Sequence, residues 1–377
     1  MFNYLYNYNK LDKMSELATI TKSNVDTELL SRLENILIEK IFVEYVWIDF
    51  DGNLRSKLRV ENSDFVSKPI KEILWWNFDG SSTKQAEGKL SDVLLKPVRL
   101  YNNPFYGKNT AYFILCECYN KDKTPHNTNT RHKCVETANK YNSFKPLFGI
   151  EQEYMIIDHS ANSLANMTLN AGNAEGRSYC AVGGDRSFFR NLSTQHLQYC
   201  MKAGIDICGT NAEVTPCQWE WQIGICDSLK VSDDIIMSRY IMERLSEQYN
   251  CSVTFHPKPF SNVNGSGAHT NFSIEQTRNT ESGLEEIRKI CEILKPHHLL
   301  HMSVYGSDND KRMTGIHETS SYDNFSYGEG NRGCSIRIPL QVVEQGYGYL
   351  EDRRPASNCD PYLVTEILMR NVCSHYV

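Results

Sequence analysis

The chain has 377 residues, of which 40% are hydrophobic and 23% charged, and a formal net charge of −6. A single core rarely grows past about 250–300 residues, so this length predicts two or more domains. The acidic balance without a long basic run argues against a general nucleic-acid partner, and no apolar segment approaches the ~20 residues of a membrane span.

The first segment, MFNYLYNYNKLDK, lacks a basic stretch followed by an apolar one and does not read as a secretory signal. Residues 1–25 are treated as a tail. Val25 to Ile41 carries Leu29, Leu30, Leu33, Ile36 and Leu37 at helical spacing and predicts an amphipathic helix. EYVWIDFDGNLRSKLRV then predicts strand, turn, strand, with Asp51-Gly52-Asn53 as the hairpin signal. Trp75 to Asp92 is rich in glycine, serine and charge and predicts a loop. DVLLKPVRLY and TAYFILCECY predict two more strands, so residues 26–125 form a small sheet-rich domain.

The polar segment Lys121 to His132 marks the boundary to a second domain over 130–377. In it, HKCVETANKYN predicts a helix, FGIEQEYMII a strand, LSTQHLQYCMKAG a helix ended by Gly204, and CGTNAEVTPCQWEWQIG two strands around Pro216. VSDDIIMSRYIMERLSEQYN predicts a helix capped by Ser232 or Asp233. CSVTFHPKPF and GAHTNFSI predict strands, and GLEEIRKICEILKPHHLL one more helix. The fold class is α+β. Thirteen cysteines, an odd number without repeated CxxC spacing, predict reduced thiols in a cytosolic protein rather than disulfides or zinc sites.

The chemistry concentrates on the strands of the second domain. Period two places Glu151 and Glu153 on one face of FGIEQEYMII, where two carboxylates repel and resist burial unless something positive compensates them. A salt bridge would serve for one glutamate. However, NAEVTPCQWEWQIG adds Glu213 and Glu220, GSGAHTNFSI adds His269, and GYLEDRRP adds Glu351. Mg²⁺ and Mn²⁺ prefer carboxylate oxygens and Mn²⁺ accepts imidazole, so a two-cation site stands beside scattered salt bridges as an explanation. A basic set follows: Lys311 and Arg312, Arg332 and Arg337, Arg353 and Arg354. Each alone predicts a surface ion pair. Together with the carboxylates they suit phosphoryl transfer to an acidic substrate, and since neither a P-loop nor the kinase signature set occurs, the nucleotide would be held in another way.

WNFDGSST, FGIEQEY, GTNAEV with QWEWQ, NGSGAHTNFS, TGIHETS, NRGCSIRIP and GYLEDRRPASNCDPY, in this order from about Glu44 to Val372, resemble glutamine synthetase of the shorter, eukaryotic-type (type II) class. The resemblance implies a small N-terminal β-grasp domain and a large catalytic domain with a strand-lined cavity. It implies a cytoplasmic homo-oligomer, a decamer of two pentameric rings with active sites between subunits. The reaction it implies joins ammonia to L-glutamate at the expense of ATP, through a γ-glutamyl phosphate, with no nucleic acid or membrane involved.

By matching motifs, one Mg²⁺ or Mn²⁺ would be held by Glu153, Glu213 and Glu220 and a second by Glu151, His269 and Glu351. Asn264, Gly265 and Arg312 would hold glutamate. Arg332, Arg337 and Arg353 would meet phosphate, with Arg353 near the transferring group. Asn271, Ser273 and Tyr349 would line the nucleotide pocket. Asp79 would attract ammonium and take its proton, reaching a neighbouring subunit's site, and Glu318 would sit on a flap that excludes water. On local grounds alone Asp79-Gly80 and Asn264-Gly265 are turns, and His269 is a core histidine.

The chain also departs from the family pattern. Leu340 stands where a basic residue is usual, Glu329 replaces a small apolar residue, His256 replaces an acid, and Lys311 stands for an arginine. An Asp-Trp before Asn264 and a proline in the Gly224–Cys226 segment are missing. None of these departures removes an implied metal ligand or catalytic residue, so they bear on kinetics and assembly more than on chemistry. The alternatives to an active glutamine synthetase are a related ligase coupling γ-glutamyl phosphate to another amine, and a structural relative without catalysis.

Overall fold

The computed structural model describes residues 39–159, 177–261, 263–316 and 319–377. Two sheets organise them. The first contains β1 (Lys40–Ile48), β2 (Leu54–Asn62), β3 (Trp76–Asp79), β4 (Asp92–Asn102) and β5 (Ala111–Tyr119), in the order β2-β1-β5-β4-β3. β1 and β5 run parallel and the other neighbours antiparallel. Every residue of β5 is buried because the strand has a core on each side. Ile114, Cys116 and Cys118 face the domain's own core with Val43, Tyr45 and Trp47. Phe113 and Leu115 face the second domain. That double burial explains a run of apolar residues with no alternation.

Three sequence expectations change in and near this domain. Lys40 and Ile41, the predicted end of a helix, begin β1, and most of that predicted helix, like the tail, lies outside the described residues. The predicted loop over Trp75–Asp92 contains β3, which pairs with β4 from Trp76↔Leu95 to Asp79↔Asp92. The predicted cap of the long central helix also moves. That helix begins at Ser228 with Asp227 as its cap, whose carboxylate accepts from the N–H groups of Leu229 and Lys230, while Ser232 and Asp233 lie buried inside it.

The second sheet comprises β6 (Leu147–Asp158), β7 (Ile207–Ala212), β8 (Gln218–Cys226), β9 (Cys251–Thr254), β10 (Ala268–Ser273), β11 (Tyr327–Glu329), β12 (Ile336–Ile338) and β13 (Leu350–Asp352). Its order is β11-β12-β13-β10-β6-β8-β7, with β9 paired to the far end of β6. The longer helices of this domain are α1 (Thr130–Tyr141), α2 (Arg190–Ala203), α3 (Ser228–Ser246), α4 (Gly283–Leu294) and α5 (Pro361–Cys373). The run predicted as one helix after Gly283 breaks at Lys295–His297, a 3₁₀ turn containing Pro296.

α3 joins the two domains through buried charge. Asp233, fully buried, accepts from Arg99 Nε at 2.8 Å, Arg131 Nε at 2.8 Å and the Tyr362 hydroxyl at 2.6 Å. Asp234 accepts from the Tyr101 hydroxyl and Lys230 Nζ. From the first sheet, Glu44 accepts from the Tyr240 hydroxyl and Arg244. All thirteen cysteines are free thiols, and burial pushes the Cys118 thiol up to about 12, which keeps it unreactive.

His196 on α2 gives the core a pH limit. It donates from Nε2 to the Ser238 carbonyl at 2.9 Å, and burial pulls its pKa down to about 4. A histidine depressed in the folded state adds stability above its unfolded pKa, near 6.5, and loses it as pH falls toward the folded value. We expect folding stability to drop by about 2 kcal/mol from this group between pH 7.5 and pH 5. Urea denaturation at the two pH values should show His196→Gln, which still offers a donor, flattening that dependence.

Candidate functional site

The site is built on the central strands of the second sheet. On β6, Ile150, Gln152 and Tyr154 point into the core, where Gln152 accepts from Arg239. Glu151 and Glu153 therefore turn to the other face, and the register aligns partners beside them. Glu151 lies opposite His269 of β10 and Glu153 opposite Glu220 of β8. Glu213 lies in the connection between β7 and β8 rather than on a strand. These residues, with Glu351 of β13, line one cavity of about 290 Å³.

The carboxylates crowd one another. Single oxygens of Glu153, Glu213 and Glu220 lie within 4.8 Å of one another, and so do donor atoms of Glu151, Glu220 and His269. Burial first, then the neighbouring Glu151, Glu153 and Glu213, pushes the Glu220 carboxyl up to about 9. Burial also raises Glu153 and Glu213. His269 Nδ1 stands 3.6 Å from Glu151, 3.8 Å from Glu153 and 3.9 Å from Glu351, too long for hydrogen bonds. Burial and the adjacent Arg353 pull its pKa down to about 4, so the imidazole is neutral. A converging set of hard oxygen donors and one neutral imidazole, short of positive charge, fits divalent cations such as Mg²⁺ or Mn²⁺.

The opposite wall is basic. Arg312 is buried and tied by Nε to Asn309 and by Nη2 to the carbonyls of Arg353, Arg354 and Pro355. Burial pulls its pKa down to about 10, which still leaves it charged at neutral pH. Arg337 donates to Glu351 at 3.0 Å, and its buried Nε has no partner among the described residues. Arg353 donates from Nη1 to Glu351 at 2.5 Å and from Nε to the Arg332 carbonyl at 3.1 Å. Glu351 thus stands at the seam of the two walls. Arg332, Asn264 and Gly265 complete this side. Gly265 is required there, because a Cβ would sit 2.3 Å from the Pro257 carbonyl oxygen.

Asn271, Ser273 and Tyr349 line a second, more apolar pocket with Phe148, Ile223 and Phe272. Asn271 links the two by donating to Glu151 at 2.9 Å. Asp79 is absent from both linings. It sits exposed at the end of β3, accepting from Ser81 N, Ser81 Oγ and Ser82 Oγ, and hydrogen bonding, first from Ser81 and then from Ser91, holds its carboxyl below the usual range. Glu318 lies outside the described residues.

Arg354, grouped by sequence with the site arginines, faces away: it is fully buried against Asp352 at 2.7 Å. The same alternation that turns Glu351 and Arg353 outward turns these two inward. Tyr179, Asn211, Gln218 and Thr319 line the cavity but carry no signal that marks them in sequence. Only the position of Asn211 and Gln218 beside Glu213 and Glu220 hints at them. Three of the unusual residues have local partners. Glu329 pairs with Arg288 of α4, while His256 and Lys311 both pair with Asp308. Leu340 is exposed and packs beside Gly330.

Residues 39–121 match the family model for the glutamine synthetase β-grasp domain and residues 128–289 that for the glutamine synthetase catalytic domain. Glutamine synthetase of Yarrowia lipolytica is 44% identical over 334 residues, covering 88% of this chain and 91% of that one. Glutamine synthetase 2 cytoplasmic of Drosophila melanogaster is 43% identical over 362 residues, covering 94% of this chain and 96% of that one. Glutamine synthetase of Agaricus bisporus is 45% identical over 334 residues, covering 88% and 92%. With both domain models matched in order and relatives aligned along nearly their full lengths, the chain belongs to the glutamine synthetase family.

Proposed function

We infer that this protein is a glutamate–ammonia ligase that makes glutamine from L-glutamate, ammonia and ATP. The observation that carries the reading is the cavity in which an acidic wall and an arginine wall meet at Glu351. Glu153, Glu213 and Glu220 would hold one divalent cation, and Glu151, His269 and Glu351 another. Bound there, such cations supply charge neutralisation for the polyphosphate.

Arg312, Asn264 and the Gly265 backbone hold the substrate glutamate with its γ-carboxylate toward the seam. Arg332, Arg337 and Arg353 face the phosphates, and the Nε of Arg337, without a partner among the described residues, is the kind of donor a phosphate oxygen would take. Asn271, Ser273 and Tyr349 border the pocket for the nucleoside. In the first step a γ-carboxylate oxygen attacks the terminal phosphorus and ADP leaves. In the second, ammonia attacks the γ-carbonyl carbon, phosphate leaves, and the surplus proton passes to a base. Asp79 from a neighbouring subunit fits that base, since a carboxylate both attracts ammonium and accepts a proton. This assignment requires a homo-oligomer, and we propose the decamer of two pentameric rings. Glu318 fits a flap residue that keeps water from the acyl phosphate. We place the protein in the cytoplasm, as the name of the Drosophila relative states for that protein. No helix among the described residues is long and apolar enough to cross a membrane.

Phosphate release by the purified protein with ATP and Mg²⁺ tests the reading. Release that requires both glutamate and ammonium is expected. Release with glutamate but indifferent to ammonium would assign another nucleophile, and no release at all would reject the activity.

Glu329 bears on nucleotide affinity. Its pairing with Arg288 holds a carboxylate beside the Gly330–Gly333 turn that carries Arg332. Arg288→Ala is expected to raise the KM for ATP roughly fivefold, the scale of a partly exposed ion pair. Glu329→Ala in the same chain should restore it, as steady-state kinetics of the single and double variants would show.

A further inference from the structure

Along the acidic wall, two side-chain amides form a hydrogen-bonded chain between carboxylates. Gln222 of β8 donates from Nε2 to Glu220 and, at 2.7 Å, to Asn211 Oδ1. Asn211 of β7 donates from Nδ2 to Glu213 at 3.0 Å. The chain therefore runs Glu220, Gln222, Asn211, Glu213, with each amide nitrogen donating to an oxygen of its neighbour. Its direction is fixed electrostatically. Flipping either amide would set a carbonyl oxygen against a carboxylate and lose both bonds.

Backbone geometry provides the seat. Residues two apart share a face, so Gln222 lies on the side of Glu220, and the β7–β8 register sets Asn211 opposite Glu220 and Gly209 opposite Gln222. The register shifts between Ile207 and Gly209, a bulge that brings Gly209 and Asn211 into this alignment. At Gly209 a Cβ would meet Gln222 Oε1 at 2.8 Å. The obstructed atom is the far end of a flexible side chain, so an added methyl would displace the amide and leave the backbone in place.

We propose that Gln222 and Asn211 are positioning residues for the divalent-cation site of Glu213 and Glu220, and that Gly209 is the seat that keeps Gln222 in line. Each carboxylate has one oxygen, Oε1, committed to an amide donor, which fixes its rotation. The amide donors also offset part of the repulsion between the crowded acids, without adding a charge that would compete with a cation. This inference rests on the reading of the cavity as a cation site.

Titration of the full-length protein with Mn²⁺ alone, followed by calorimetry and by the Mn²⁺ electron paramagnetic resonance signal, tests it without any turnover. Supporting groups of this kind are worth about 10–100-fold in metal affinity. Gln222→Leu and Gly209→Ala are both expected to weaken Mn²⁺ binding within that range and to broaden the resonance of the bound ion. The melting temperature without metal should hardly move for Gly209→Ala, so that variant separates positioning from folding should Gln222→Leu be unstable. Mn²⁺ affinity within twofold of the unaltered protein for a folded Gly209→Ala would overturn the proposal while the cation site stood. An unaltered protein that binds no Mn²⁺ would overturn the cation-site reading and this inference with it.

Discussion

Asp79→Asn is expected to lower ammonium-dependent glutamine formation by about 10²–10⁴-fold, the usual worth of a positioned general base, while ATP and glutamate still bind. The substituted amide would keep the shape of the side chain and lose the negative charge to which we assign the attraction of ammonium and the acceptance of its proton. Hydrogen bonding, first from Ser81 and then from Ser91, holds this carboxyl below the usual range, so it is charged whenever ammonium is present. Hydroxylamine, uncharged at neutral pH, needs no such capture, so hydroxamate formation from the acyl phosphate should survive in the variant. Equal loss with both nucleophiles would remove Asp79 from the ammonia step. Since Asp79 does not line its own chain's cavity, a second test addresses reach. Coexpressing Asp79→Asn chains with Glu153→Gln chains should restore activity that neither has alone, because some sites would then combine two intact halves. No restoration would place both groups in one chain's site or outside the reaction.

Arg353→Lys is the second large effect, with an expected loss in turnover of about 10³–10⁵-fold, the scale of an arginine that neutralises a transferring phosphoryl group. The guanidinium donates to Glu351 and the Arg332 carbonyl from two different nitrogens, and so spans the seam between the acidic wall and the arginine wall. A lysine ammonium is a point charge on a flexible stem and cannot hold that planar, two-sided arrangement. The signature differs from that of Asp79: hydroxamate formation should fall together with glutamine formation, because the first step is impaired. A variant that keeps the phosphoryl step and loses only ammonium dependence would move Arg353 to another role.

Legibility followed the range of the interaction that decides each feature. Glu151 and Glu153 could be placed on one face from FGIEQEY alone, because strand period is a local property. The helix end at Gly204 and the hairpin at Asp51-Gly52 were readable for the same reason. The cap of α3 differs from the expected Ser232 or Asp233 because Asp233 is a good capping residue locally, yet tertiary ion pairs with Arg99 and Arg131 claim it. β3 is not legible in the sequence because four residues with a polar flank form a strand only when β4 supplies the hydrogen-bond partners.

From the sequence alone came the two-part α+β organisation, the polar chemistry on apolar strands, and the family whose motifs appear in order. Local spacing and residue type are sufficient for these. Only the tertiary structure decided that Arg354 belongs to the core, that Glu329 has Arg288 as a partner, and that Gln222 and Asn211 link Glu220 to Glu213. Each of those depends on strand register or on elements distant in sequence, and a contact between distant segments exists only once the chain between them has folded.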